Sequence, residues 1–178
     1  MSLAHAILGL LQQEQMTGYD LKTSCFDQCI AHLWTADQAQ IYRTLDKLVE
    51  QGWITCKVEI QSDRPNRKVY SMTQTGKAEL IRWLQCPQPL PTLREPLLVQ
   101  LFFGAQLPNE AIIKLLEHQL VARHEKLDTC GTIQLPALGD QSANREEIMQ
   151  RLVLELVIRR EQTYIDWLKT AIDVISHQ

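Results

Sequence analysis

A mainly α-helical chain carrying one small β-hairpin is predicted by three observations. Long runs rich in Leu, Ile, Gln, Glu and Lys place their apolar residues at helical spacing. Seven glycines and few aromatic residues also lean towards helix. The apolar period changes to two across residues 53–73, where two short alternating runs flank a turn.

Composition sets the outer limits. At 178 residues, 45% hydrophobic and 22% charged, the chain matches an ordinary globular protein and is long enough for one sizeable domain or two small ones. The formal net charge is −3, yet the sign is uneven. Residues 1–84 carry nine Lys/Arg against nine Asp/Glu, whereas 85–178 carry nine against twelve, so the acidity lies in the second half. From Arg64 to Arg82 there are five basic residues and one acid, a local patch suited to phosphate. Five cysteines without framework spacing, no basic leader before an apolar run, and no run of 18 apolar residues predict a reduced, intracellular chain with no membrane span. Cys25, Cys29 and His32 share a helical face that metal would accept, but packed thiols explain that face as well, and no metal is expected.

The first helix follows Ser2 as a cap and carries Leu3, Ile7, Leu8, Leu10 and Leu11. Met16-Thr17-Gly18 forms a break. Thr17 or Gly18 then opens a second helix through residue 33, with Leu21, Cys25 or Phe26, and Ile30 inward. A third helix spans Trp34 to Gln51, with Thr35 as cap, Asp37 in its first turn and Gly52 as stop. Its stripe of Ile41, Leu45, Leu48 and Val49 faces a core, while Ala36, Ala39, Gln40, Arg43 and Lys47 lie opposite, with Tyr42 on one flank. Helix, Gly-containing turn, helix, short loop and helix make the layout of a helix-turn-helix.

After Gly52, Ile54, Cys56, Val58 and Ile60 alternate with Thr55, Lys57 and Glu59, which predicts a strand with one buried face. A turn at 62–68 precedes a second strand, in which Val69 and Ser71 face opposite to Tyr70 and Met72. This hairpin is a wing with Arg64, Arg67 and Lys68 at its tip, where long cations reach phosphates. A fourth helix with Ala78, Leu80, Ile81 and Leu84 inward closes a unit of residues 1–84.

Three prolines in residues 85–92 make a semi-rigid linker to a helical region, 93–178. There, a short helix starts near Glu95, and Asn109 caps a long one with Ile112, Ile113, Leu116, Leu120 and Leu127 in a stripe. His118 and His124 are six apart and read as solvated. Asn144 and Glu147 have capping-box spacing at the head of a final helix of some thirty residues. That helix is apolar on two sides, so a second copy is its simplest extra partner. The dimerisation set is Leu152, Val153, Leu156, Val157, Ile165, Leu168 and Ile172.

The runs AILGLLQQEQMTGYDLK, QIYRTLDKLVEQGWI, DRPNRKVYSMTQTGKAEL and LREPLLVQLFFG resemble PadR-type transcriptional regulators over the first hundred or so residues. The resemblance implies a winged helix-turn-helix with a helical C-terminal dimerisation region. It also implies a cytoplasmic homodimer that most often represses and in some members answers to a small molecule. It matches Tyr19 to a Gly-Tyr at the second helix, Gln40, Tyr42 and Arg43 to the recognition helix, and Arg64, Arg67, Lys68 and Tyr70 to the wing.

The leading expectation is therefore a regulator of double-stranded DNA, contacting its operator through Tyr19, Thr35, Gln38, Gln40, Tyr42, Arg43, Lys47, Arg64, Arg67, Lys68 and Tyr70. Gln40 is the candidate for adenine and Arg43 for guanine. Two-fold symmetry implies an inverted repeat with half-sites about 10 or 20 base pairs apart. The competing reading is a winged-helix module whose basic wing binds an acidic protein. Neither a phosphate loop nor a nucleophile motif favours an enzyme, and no cofactor is called for. Trp34, Trp83 and Trp167 read equally as core or pocket, and an effector is compatible with the acidic, apolar helical half.

Overall fold

The computed structural model describes residues 2–60, 66–92 and 94–178, which form two compact units, 1–90 and 91–178. Within the first unit, helix α1 (Ser2–Gln13) begins at Ser2 itself and contributes Ile7 and Leu8, both fully buried. Burial of such a side chain stabilises the fold by about 1.5–3 kcal/mol.

The expected break at residues 16–18 is instead a short strand, β1 (Met16–Thr17). Thr17 then caps α2 (Gly18–Asp20), its hydroxyl accepting from the Asp20 N–H at 3.0 Å. From Leu21 to Cys29 the backbone winds as a π-helix and then turns through Leu33, so the regular α-helix expected through residue 33 does not form. The wider winding lets Cys25 and Phe26 both be buried with Leu21, and the Ile30 N–H donates to the Cys25 carbonyl five residues back. Cys25 lies 3.6 Å from the Met16 sulfur, while Cys29 is exposed, so their thiols do not share an environment.

Helix α3 (Gln38–Glu50) starts later than Trp34. Asp37, not Thr35, is its cap, because the Asp37 carboxylate accepts from the Gln40 N–H at 2.7 Å. Ile41, Leu45 and Leu48 are buried as expected, but Val49 is exposed and Ala36 is buried. Ala36 precedes the helix, so the helical wheel that placed it outward does not apply to it. Gly52 (φ 70°) ends the turn in the left-handed region open to glycine.

Strands β2 (Ile54–Glu59) and β3 (Arg67–Met72) pair antiparallel, and β1 adds to the other edge of β3, giving the order β1-β3-β2. The expected buried face of β2 is absent beyond Ile54: Cys56, Val58 and Ile60 are exposed, because the ribbon runs outward past the core. In β3, Val69 and Tyr70 are both buried although they face opposite ways, and Tyr70 belongs to the core cluster. Thr73 caps α4 (Gln74–Gln85) by accepting from the Gly76 N–H. The inward stripe of α4 is Gly76, Glu79, Leu80 and Trp83; of the expected set only Leu80 is buried, and Ala78, Ile81 and Leu84 are exposed. Trp83 stacks on His5 of α1 (centroids 4.5 Å apart, planes at 10°), and Glu79 pairs with the same imidazole at 3.1 Å.

The second unit contains α5 (Pro96–Phe102), α6 (Asn109–Gly131) and α7 (Arg145–Ser176). Asn109 is not the cap of α6: its amide donates to the Ile175 carbonyl at 3.1 Å and ties the start of α6 to the end of α7. Asn144 and Glu147 do form a capping box, with reciprocal bonds of 3.0 and 2.8 Å. Helices α6 and α7 pack antiparallel along Leu154, Val157, Glu161, Ile165 and Leu168 of α7, all buried. These follow a seam spacing of three and four residues.

Glu161 separates two apolar clusters, one with Leu154 and Val157 near Cys130, the other with Leu168 near Leu97 and Leu116. Its carboxylate accepts from Arg123 at 2.8 Å and Lys126 at 2.7 Å. Burial raises its affinity for a proton, yet those two bonds hold its pKa below the usual value. A slipped register would strand that charge, so the pair fixes the alignment of the two helices. Val157, Ile165 and Leu168, expected at a dimer interface, are buried within the chain, and Ile172 is partly buried against the Leu97, Leu116 and Leu168 cluster. Leu152, Val153 and Leu156 remain exposed beside Ile148 and Met149. Among the described residues no helix is long and apolar enough to cross a membrane.

Candidate nucleic-acid interface

The exposed side of α3 carries Gln38, Ala39, Gln40, Arg43 and Lys47. Its buried stripe is held by α1 and the sheet, so this face is presented on a fixed support. Thr35 is exposed just before the helix and lines a groove with Gln40, Arg43, Lys47 and Trp34 on one side and Leu3 and Ala4 of α1 on the other. Trp34 is therefore part of that groove wall.

Two side chains on this face are already engaged. The Gln40 carboxamide oxygen accepts from the Asp37 N–H at 3.3 Å, closing the capping box and folding the side chain towards the helix start. Arg43 is exposed and donates through Nε to the Ala39 carbonyl at 3.2 Å, which leaves the N–H groups of its two terminal nitrogens for a ligand. Lys47 is exposed one turn further on. Tyr42 is only partly exposed and packs against the core; a Cβ on Gly18 would lie 2.6 Å from its ring, so Gly18 is what lets that ring sit against α2. Tyr19 of α2 is 63% exposed.

At the wing, Lys68 is exposed and opposes Val58 across the ladder, and Arg67 opposes Glu59. Arg64 lies outside the described residues. Arg67 donates through Nη2 to Asp20 Oδ2 at 3.0 Å. The same oxygen accepts from the Thr17 hydroxyl at 2.7 Å and the Thr17 N–H at 3.1 Å. Burial works to raise the Asp20 pKa, but the Thr17 bonds and the Arg67 charge outweigh it and hold the pKa below the ordinary value. Asp20 was not among the expected site residues, although Thr17-x-x-Asp20 has capping-box spacing that marks it.

Tyr70, expected among the DNA contacts, is not on the exposed surface. It is 2% exposed, between Met16 and Cys56 in the sheet, and burial pushes its phenol up to about 12. The alternation of β3 alone assigned it no environment, because the strand on its far side is the unforeseen β1.

A short sheet behind a three-helix core, with an outward helix face and a cationic ribbon, defines a winged helix-turn-helix protein of the transcription-regulator class. Comparison with known proteins agrees. Residues 7–82 match the family model described as "Transcriptional regulator PadR-like family", and 93–176 match "Virulence activator alpha C-term". The negative transcriptional regulator PadR of Bacillus subtilis is 33% identical over 98% of this chain and 97% of its own length. The crystal structure of Bacillus subtilis PadR in complex with operator DNA superposes with a TM-score of 0.81 at 32% identity, over 98% of this chain and 99% of that one. The same protein in complex with p-coumaric acid gives 0.77 at 31% identity, over 99% of each chain. The chain belongs to the PadR family of transcriptional regulators.

Proposed function

We infer that this chain is a cytoplasmic, sequence-specific DNA-binding repressor that acts as a homodimer and answers to a small molecule. It works by binding, not by catalysis. The observation that carries the reading is the display of Arg43 and Lys47 on α3 together with Lys68 on the wing, in a fold shared with a PadR bound to its operator. Arg43 reads a base through its terminal nitrogens, and Lys47 and Lys68 hold phosphates. The face for a second copy is the exposed stripe Leu152, Val153 and Leu156 with Ile148 and Met149 on α7. A small-molecule effector is supported by the p-coumaric acid complex of the Bacillus subtilis relative.

The experiment is a footprint of the purified protein on the DNA flanking its own gene, with a salt titration against random duplex. Protection of an inverted repeat, with affinity that falls steeply with salt, is the expected result. Absence of duplex binding even at low salt would leave the protein-binding module as the better account.

A further inference from the structure

The segment that joins the two units is exposed from Leu84 to Thr92, and Glu95 stands where it enters the second unit, just before α5. Glu95 is held there from two other helices. The Tyr164 hydroxyl of α7 donates to its Oε2, and Arg123 Nη2 of α6 lies 3.7 Å from its Oε1. Burial, and then the Glu95 carboxylate, push the Tyr164 phenol up to about 12, so it remains a donor throughout the neutral range.

The two residues that grip Glu95 are themselves fixed. Arg123 Nη1 donates to the buried Glu161 at 2.8 Å, and the same guanidinium lies 3.8 Å over the Tyr164 ring. Trp167 meets that ring edge to face, with centroids 5.5 Å apart. Two residues beyond Glu95, Leu97 is 4% exposed in the cluster of Leu116 and Leu168. An ion pair at 3.7 Å would count for little alone, but the phenol bond and the Leu97 anchor hold the same few residues. Upstream, Pro87, Pro89 and Pro91 restrict the backbone, so a direction set at Glu95 carries along the segment instead of being lost within it.

We propose that Glu95, Arg123 and Tyr164 form a clamp that fixes how the linker leaves the second unit, and so sets the separation of the two DNA-binding units in a dimer. The three are positioning residues, acting through the linker and not on DNA. A loose exit would let each winged helix reach many half-site spacings, whereas a fixed exit selects one. This rests on the reading of the chain as a homodimeric DNA-binding regulator, but the separation is measurable without DNA.

The first measurement is double electron–electron resonance on the full-length protein. A spin label on Cys56, exposed in β2, gives one distance per dimer; exposed Cys29 and Cys86 are changed to serine, and Cys25 and Cys130 are buried. The distance distribution should be narrow with the clamp intact and broad in Glu95→Ala. Tyr164→Phe, which removes only the hydroxyl, should broaden it less. Glu95→Gln keeps an acceptor for the phenol and should restore most of the narrow distribution. The second measurement is binding of the unlabelled proteins to the footprinted inverted repeat with about five base pairs, half a turn of DNA, inserted between its half-sites. Wild type should lose about a hundredfold, because two half-sites are no longer engaged together, and Glu95→Ala about tenfold or less. A duplex with a single half-site should bind both proteins equally, which a variant damaged in its fold would not do. Equal distributions in wild type, Glu95→Ala and Tyr164→Phe would overturn the proposal, as would an unchanged penalty for the insertion. Absence of a dipolar signal from wild type would instead sink the homodimer reading. A dimer that shows the broadening yet binds no duplex would sink the DNA reading and uphold the clamp.

Discussion

Arg67 Nη2 and Asp20 Oδ2 lie 3.0 Å apart, so the tip end of the wing ladder is tied to α2, 47 residues earlier in the chain. The pair is partly exposed and contributes about 1 kcal/mol at most. Its weight is electrostatic: Arg67 is partly neutralised before any phosphate approaches. Lys68→Ala is expected to lower the slope of log K against log salt by about 1. Arg67→Ala should lower it by less. Fluorescence anisotropy on one duplex across a salt series measures both, and equal reductions would mean that Arg67 leaves Asp20 when DNA binds.

Arg43 and Lys47 should separate in kind. Arg43→Ala is expected to relax preference at one base position at a cost of about 1–3 kcal/mol on the preferred site, whereas Lys47→Ala weakens all sequences alike. Binding to a panel of single-base operator variants reads the difference. A uniform loss for Arg43→Ala would count against its fork reading a base.

Acid should loosen the first unit through Glu79. Arg82, and then His5, hold its carboxyl at about 2 against an ordinary 4.5. Its contribution is therefore fully present above about 4.5 and is lost as pH falls towards 2. Urea unfolding followed by circular dichroism from pH 6 to 2 should show stability falling across that window. Glu79→Gln should flatten that fall.

Glu161→Ala should destabilise the second unit by about 2–4 kcal/mol, since it leaves Arg123 without its buried partner while Lys126 can still turn to solvent. Glu161→Gln, which keeps acceptor capacity without the charge, should cost less. Thermal unfolding of the two variants would expose the opposite order, which would deny the charge any part in the seam.

Leu152→Glu with Val153→Glu should yield a folded monomer, because both side chains are exposed on a helix whose other face is already packed. Sedimentation velocity beside circular dichroism checks this. A dimer that persists would move the contact elsewhere, with exposed Phe102 and Phe103 at the end of α5 the next surface to substitute.

Local chemistry was readable along the chain wherever neighbours in sequence decide the outcome. The Thr17 and Asn144 caps, the Ile41, Leu45 and Leu48 stripe and the paired wing strands all rest on contacts within a few residues or on a simple period. The outward positions of Gln40, Arg43 and Lys47 followed from the same helical period, and the resemblance to PadR regulators came from residues in their order. Tertiary structure alone decided which apolar residues meet a partner inside the chain. Met16 and Thr17 became a strand only because β3 offered an edge, and that edge buried Tyr70. Asp37 displaced Thr35 as cap once Ala36 was drawn into the core. On α7, two apolar sides were visible, but only the approach of α6 settled that Leu154, Val157 and Ile165 are inside and Leu152, Val153 and Leu156 outside. Burial is set by groups far apart in sequence, and a one-dimensional period specifies that a face exists without specifying what covers it.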